Sequence, residues 1–176
     1  MKNFKTADVV MVSLATALMC VCSWIQFPSA VPFTLQTFAV FLIPSVLGTK
    51  KGVTATIVYV LLGAVGLPVF SGFQGGIGAF AGATGGFVLG FIPASLIIGI
   101  CTKKFGKSFF TSFVYSVAAL AVCYVAGVLW YAFVYGGGNI LSAIYVCVLP
   151  FVVPDFFKIV LANLVSEKIN IEKITR

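Results

Sequence analysis

An all-α integral membrane protein, with six transmembrane helices and both termini in the cytoplasm, is the fold this sequence predicts. Three observations predict it. Of the 176 residues, 61% are hydrophobic and only 9% charged, against about 45–50% apolar and about 25% charged in soluble domains. The sparse charges divide the chain into six apolar runs, each near or above the ~17–25 residues that cross a bilayer as a helix. Lysines gather at alternate ends of those runs. No polar linker separates the runs, so residues 1–176 read as a single transmembrane domain.

The runs follow one another with clear punctuation. Lys2, Lys5 and Asp8 precede Val9–Phe27, and Val31–Gly48 ends at Lys50 and Lys51. Val53–Phe70 leads into a glycine-rich stretch, and Gly82–Cys101 ends at Lys103, Lys104 and Lys107. Phe109–Tyr135 stops at Gly136-Gly137-Gly138-Asn139, and Ile140–Val165 ends at Glu167 and Lys168. The termini and the two lysine loops hold ten of the eleven basic residues, all but Lys158, while the three alternate loops carry no charge. The positive-inside rule therefore puts both termini and the lysine loops in the cytoplasm, as an even number of spans requires. The net charge of +7 is topological and does not point to nucleic acid. The first run begins like a signal peptide, but it is too long and lacks an Ala-x-Ala cleavage site, so it is read as a retained span.

The missing residues exclude several chemistries. There is no histidine, hence no His-based zinc site and no base to activate Ser71 as a nucleophile. No Gly-x4-Gly-Lys-[Ser/Thr] sequence occurs, and Asp155 has no partner acid for acid–base work. Cys20, Cys22, Cys101, Cys123 and Cys147 lie in or beside spans and read as small apolar packing residues. The chain is read as a non-enzyme without metal or cofactor, and any uphill transport needs energy from another subunit or from a gradient.

Between Lys107 and Glu167 the only charges are Asp155 and Lys158. A charge at mid-membrane depth costs at least about 2.5–3.5 kcal/mol, so such residues are usually functional. At i and i+3 the two share a helix face. They could form an ion pair that only joins helices, or the floor of a polar binding site. Pro154 is placed to break a continuous helix or to start a second one that carries Asp155 beside free N–H groups. Counting back from Lys168 at ~1.5 Å per residue puts Asp155 about 20 Å from the cytoplasmic edge, in the outer half of the membrane. Pro32 suits the start of the second helix, with Thr34, Gln36 and Thr37 supplying hydrogen-bonding groups near its outer end. Between the third and fourth spans, the glycine-rich stretch Gly63–Gly86 predicts irregular backbone. Near a membrane such backbone survives where it lines a cavity or is buried in protein. Gly82, Gly85, Gly86 and Gly90 alternatively read as close helix packing. Bulk added at Gly75 or Gly78 is expected to weaken ligand binding.

Val-Pro-Phe-Thr-Leu-Gln-Thr (31–37), Gly-Leu-Pro-Val-Phe-Ser-Gly (66–72), Gly-Gly-Ile-Gly (75–78), Ala-Thr-Gly-Gly-Phe-Val-Leu-Gly-Phe (83–91) and Pro-Asp-Phe-Phe-Lys (154–158) resemble, in order, the signatures of the BioY family. These are the biotin-binding S components of energy-coupling-factor (ECF) vitamin transporters. Ala83 stands where the family usually has proline. Ser13 and Ala17 are the nearest small pair to the Ala-x3-Ala surface that S components often present to their coupling subunit.

The resemblance implies a multi-pass protein of the prokaryotic plasma membrane, surrounded by lipid, that captures biotin from outside. Import then involves a transmembrane T subunit and cytoplasmic ATPases, with Ser13 and Ala17 as the expected docking site. It implies a biotin site from Asp155, Lys158, Thr34, Gln36, Phe73, Gln74, Gly75, Gly76, Gly78 and Thr84. Asp155 would accept from the ureido N–H groups, and Lys158 would neutralise the biotin carboxylate or pair with Asp155. Phe73, Phe80, Tyr59 and Trp24 are expected as apolar walls. An S component for another vitamin, or a solitary gradient-driven biotin carrier, are the competing readings.

Overall fold

The computed structural model describes residues 5–29, 31–136 and 138–169. Lys2, Lys173 and Arg176, which enter the orientation argument, lie outside them, as does Gly137 of the last outer turn. Four helices among these residues are long and apolar enough to cross a membrane, or five if one bent pair counts as a span. Large side chains such as Leu14, Phe110, Val114 and Phe157 are exposed around the perimeter. An apolar exterior of that extent belongs in lipid rather than water.

Helix α1 (Thr6–Trp24) packs on the second half of α2 (Gln36–Ala64), where Thr16 Oγ1 donates to the Ala55 carbonyl at 3.3 Å. The 29-residue α2 is not one rod. Gly48 takes φ 78°, ψ 175° inside it, a left-handed conformation that glycine adopts without a Cβ clash. The chain doubles back there into two limbs. Pro44 and Gly52 then lie so close that a Cβ on Gly52 would sit 2.5 Å from Pro44 Cα, and the Gln36 amide reaches Tyr59. The expected second and third runs are these two limbs. At their turn Lys51 meets Asp8 of α1 at 2.9 Å.

The second run differs from expectation at its start. Residues 33–34 pair with 26–27 as a two-stranded antiparallel ribbon, β1 (Gln26–Phe27) and β2 (Phe33–Thr34), in an otherwise helical protein. The helix begins at Gln36 and not at Pro32, because Thr34 Oγ1 accepts the Gln36 N–H at 3.2 Å and ends the extended segment there.

The glycine-rich stretch is irregular, as predicted. It holds a 3₁₀ turn (Ser71–Phe73) and a short helix α3 (Ile77–Ala81). It folds back on the second limb of α2, with Gly76 N–H donating to the Gly63 carbonyl at 2.7 Å. Helix α4 (Gly85–Phe105) then crosses the middle of the bundle against α2 and α5 (Phe109–Trp130). A Cβ on Gly86 would lie 2.3 Å from Trp130 Cβ, so the close-packing reading holds for this part of the stretch. After α5 a π-helical turn (Tyr131–Tyr135) leads to α6 (Ile140–Cys147) and α7 (Val152–Lys168). These two are bent by 51°. The break falls at residues 148–151, around Pro150, and Pro154 stands near the start of the second helix, the other of its two readings.

Candidate functional site

The break between α6 and α7 sets up the site. Pro154 lies in the first turn of α7, where a helix has no intrahelical use for the missing N–H. Asp155 follows it, its own N–H donating to the Phe151 carbonyl at 2.8 Å. Among the described residues no backbone N–H reaches its carboxylate, contrary to the expectation from Pro154. Three side chains hold it. Thr37 Oγ1 donates to Oδ1 at 3.0 Å, Lys158 Nζ to Oδ1 at 2.8 Å, and Tyr124 OH to Oδ2 at 2.8 Å. Lys158 also donates to Thr37 Oγ1 at 3.1 Å. The carboxylate side chain is 3% exposed and the lysine 11%.

That arrangement leaves something over. A carboxylate offers about four acceptor positions, of which three are used, and an ammonium three donors, of which two are used. One acceptor position, on Asp155 Oδ2, and one donor, on Lys158 Nζ, remain. A planar group presenting an N–H next to a C=O is their chemical complement.

The pair forms the floor of an inner chamber of about 40 Å³. Its walls are apolar, chiefly Phe87, Phe91, Leu120 and Phe151, with Thr34, Gln36 and Thr84 as polar points. Phe151 stacks on Phe33 of β2 with centroids 4.3 Å apart, so the small ribbon helps close the chamber. The chamber has room for roughly three water molecules, and a fused bicyclic ring needs its walls to yield. Pro32, Ser71 and Thr84 form a collar shared with a larger outer chamber of about 340 Å³. Its lining is mostly uncharged polar groups, including Gln26, Ser29, Gln74 and Tyr135.

The structure thus brings Asp155, Lys158, Thr34, Gln36 and Thr84 together around the inner chamber and puts Gln74 in the outer one. Others fall elsewhere. Phe73 is 64% exposed and stacks on Trp24 at 5.2 Å, outside both chambers. Gly75 and Gly76 shape the loop instead: a Cβ on Gly75 would meet the Leu67 carbonyl at 2.1 Å, and Gly76 has φ 84°. Gly78 has neither a positive φ nor any atom within 4 Å of a built Cβ, so the steric reason for expecting harm there is absent. Tyr59 and Phe80 pack edge-on around Phe70 in the core. Tyr59 is held there because it donates to the Val69 carbonyl at 3.1 Å and accepts from Gln36 Nε2. The chamber's apolar walls are therefore not the four aromatics expected. Ser13 and Ala17 lie on an exposed groove beside Val58 and Leu62.

Tyr124 is the principal residue that the sequence reading missed. A phenol in mid-span was an available signal, since a buried Tyr O–H almost always finds a partner. Phe87, Phe91 and Phe151 gave none, being apolar residues within apolar helices.

Comparison with known proteins follows the same line. The model of the BioY family matches residues 1–173. "Biotin transporter BioY" of Thermotoga maritima is 43% identical over 162 residues, covering 90% of this chain and 94% of the relative. "Probable biotin transporter BioY" of Pyrococcus horikoshii is 37% identical, covering 94% of this chain and 98% of its own. A crystal structure of the S-component for biotin from an ECF-type ABC transporter superposes with a TM-score of 0.87 over 94% of both chains, at 21% identity, and shows the shared fold. By its sequence over nearly its whole length, this chain belongs to the BioY family.

Proposed function

We propose that this chain is the substrate-binding subunit of an ECF-type vitamin transporter, capturing biotin from outside the cell for import. The observation that carries this reading is the buried Asp155–Lys158 pair, braced by Thr37 and Tyr124, at the floor of a chamber with apolar walls. The ureido ring of biotin presents N–H donors and a C=O acceptor, complementary to the acceptor and donor that the pair leaves unused. Its thioether ring suits Phe87, Phe91 and Phe151. The flexible valeryl chain then points through the Pro32–Ser71–Thr84 collar into the outer chamber. Thr34, Gln36, Thr84 and Gln74 complete the site; Phe73, Gly75 and Gly76 act on it through the loop that carries Gln74, and Gly78 belongs to the short helix α3 that follows that loop.

Residues 1–176 form one transmembrane domain in the plasma membrane with six crossings: α1, the two limbs of α2, α4, α5 with its π turn, and the bent α6–α7 pair. Both termini face the cytoplasm with Lys50, Lys51 and Lys103–Lys107, in keeping with the charge rule. Energy for uptake comes from partner ATPases through a transmembrane coupling subunit, which docks on the groove holding Ser13 and Ala17. Radiolabelled biotin binding to the purified chain tests the ligand. Uptake in cells with and without the shared ATPases tests dependence, and strong accumulation by the solitary chain would replace that dependence by a gradient-driven carrier. Ala17→Trp should leave biotin binding intact and abolish uptake; uptake at the wild-type level would move the docking face elsewhere.

A further inference from the structure

The charge distribution of the two chambers is uneven. Among the described residues, Asp155 and Lys158 are the only charged side chains lining either chamber. Lys158 is taken up at the floor, 2.8 Å from Asp155 and 3.1 Å from Thr37 Oγ1, so the inner chamber has no net charge. The outer chamber is the roomier, at about 340 Å³, and its polar lining is amides and hydroxyls such as Gln26, Gln74, Ser29 and Tyr135. Each such group both donates and accepts. A glutamine amide can therefore face a carboxylate, an ester or an amide, whereas a fixed cation would favour the carboxylate alone.

We propose that the site reads the head of its ligand and not the charge of its tail, so that its substrate class includes neutral amides and esters of biotin alongside the free acid. Biotin joined through an amide to a lysine side chain is one such compound. The inference rests on the head-inward reading given above. It follows from two features together: the one cation is already bonded to Asp155 and Thr37 at the floor of the inner chamber, and the outer chamber that receives the tail has no charged lining and has room for an added substituent.

The test is competition against radiolabelled biotin on the purified full chain in lipid nanodiscs. The competitors are unlabelled biotin, biotinamide, biotin methyl ester, the lysine-linked amide, and an analogue methylated on a ureido nitrogen. The neutral tail derivatives should compete within about threefold of the free acid. The ureido-methylated analogue should be weaker by roughly 30-fold or more, because it forfeits a hydrogen bond to a charged group. Biotinamide weaker than biotin by more than about tenfold would overturn the proposal, since a charge would then be reading the carboxylate. Tight binding of the ureido-methylated analogue together with weak binding of the amides would overturn it too, by placing the carboxylate on Lys158. Failure of biotin itself to bind would instead remove the ligand reading beneath it.

Discussion

Helix α7 carries two buried polar sites, and they differ in kind. Near its outer end Asp155 and Lys158 are charged, each bonded to several partners, and both line a chamber. Two to three turns further down, Asn163 and Ser166 are neutral and each 2% exposed. Asn163 Oδ1 accepts from Ser116 Oγ at 3.4 Å, while Asn163 Nδ2 and Ser166 Oγ have no partner among the described residues. Neither residue lines either chamber. The lower site shows that α7 docks on α5 through neutral, incompletely bonded groups. Helix association in a membrane needs small and weakly polar side chains, and does not need a charge. The charges at the upper site exceed that need, and they are the ones that line a chamber, which is why the proposed function is placed there.

Breaking the upper pair on one side should have the largest effect. Lys158→Met leaves a buried carboxylate with only neutral donors, and removing one partner of a buried pair costs about 3–5 kcal/mol. Thermal unfolding in detergent should register that loss. Asp155→Asn/Lys158→Met should regain most of the stability and still fail to bind biotin; normal binding by the double variant would reduce the pair to a structural device. Asp155→Asn alone should weaken biotin binding by about 1.5–3 kcal/mol, the worth of a hydrogen bond to a charged group, as read by equilibrium titration. Tyr124→Phe removes one of three donors to the carboxylate and should weaken binding by about 1.5 kcal/mol. An unchanged affinity would show that Thr37 and Lys158 suffice to orient Asp155. The smallest effect belongs to the lower site. Asn163→Leu replaces an under-bonded amide by an apolar group of similar size, and stability should move by less than about 1 kcal/mol, with biotin affinity untouched. A large loss of binding there would mean that the two sites act as one.

Much of this was legible in the sequence because charge is so scarce. With two charges in the 59 residues between Lys107 and Glu167, Asp155 and Lys158 declared themselves, and their spacing gave the shared helix face that the 2.8 Å contact realises. Thr34, Gln36 and Thr84 stood out for the same reason, as polar groups at the outer ends of apolar runs. What stayed hidden depends on the direction of side chains in a bundle whose residues are apolar on every face. Phe80 and Phe87 are indistinguishable by composition, yet one packs edge-on against Phe70 and the other lines the chamber. The ribbon at Phe33–Thr34 was hidden because two residues are too few to show an alternating pattern. The hairpin in α2 was legible as a lysine-marked boundary, but its geometry depends on the contact of Pro44 with Gly52, which no local pattern announces.

The close Asp155–Lys158 contact also bears on the membrane potential. A carboxylate and an ammonium 2.8 Å apart add no net charge to the chamber, so a protein loaded with a monoanion differs from the unloaded one by a full elementary charge. Moving that charge toward an interior-negative compartment costs about 2.3 kcal/mol per 100 mV. If the anion is delivered without a proton, collapsing the potential should ease its inward movement, while a neutral amide bound at the same floor should be indifferent to it. A binding site without net charge thus leaves the voltage sensitivity of uptake to be written by the cargo.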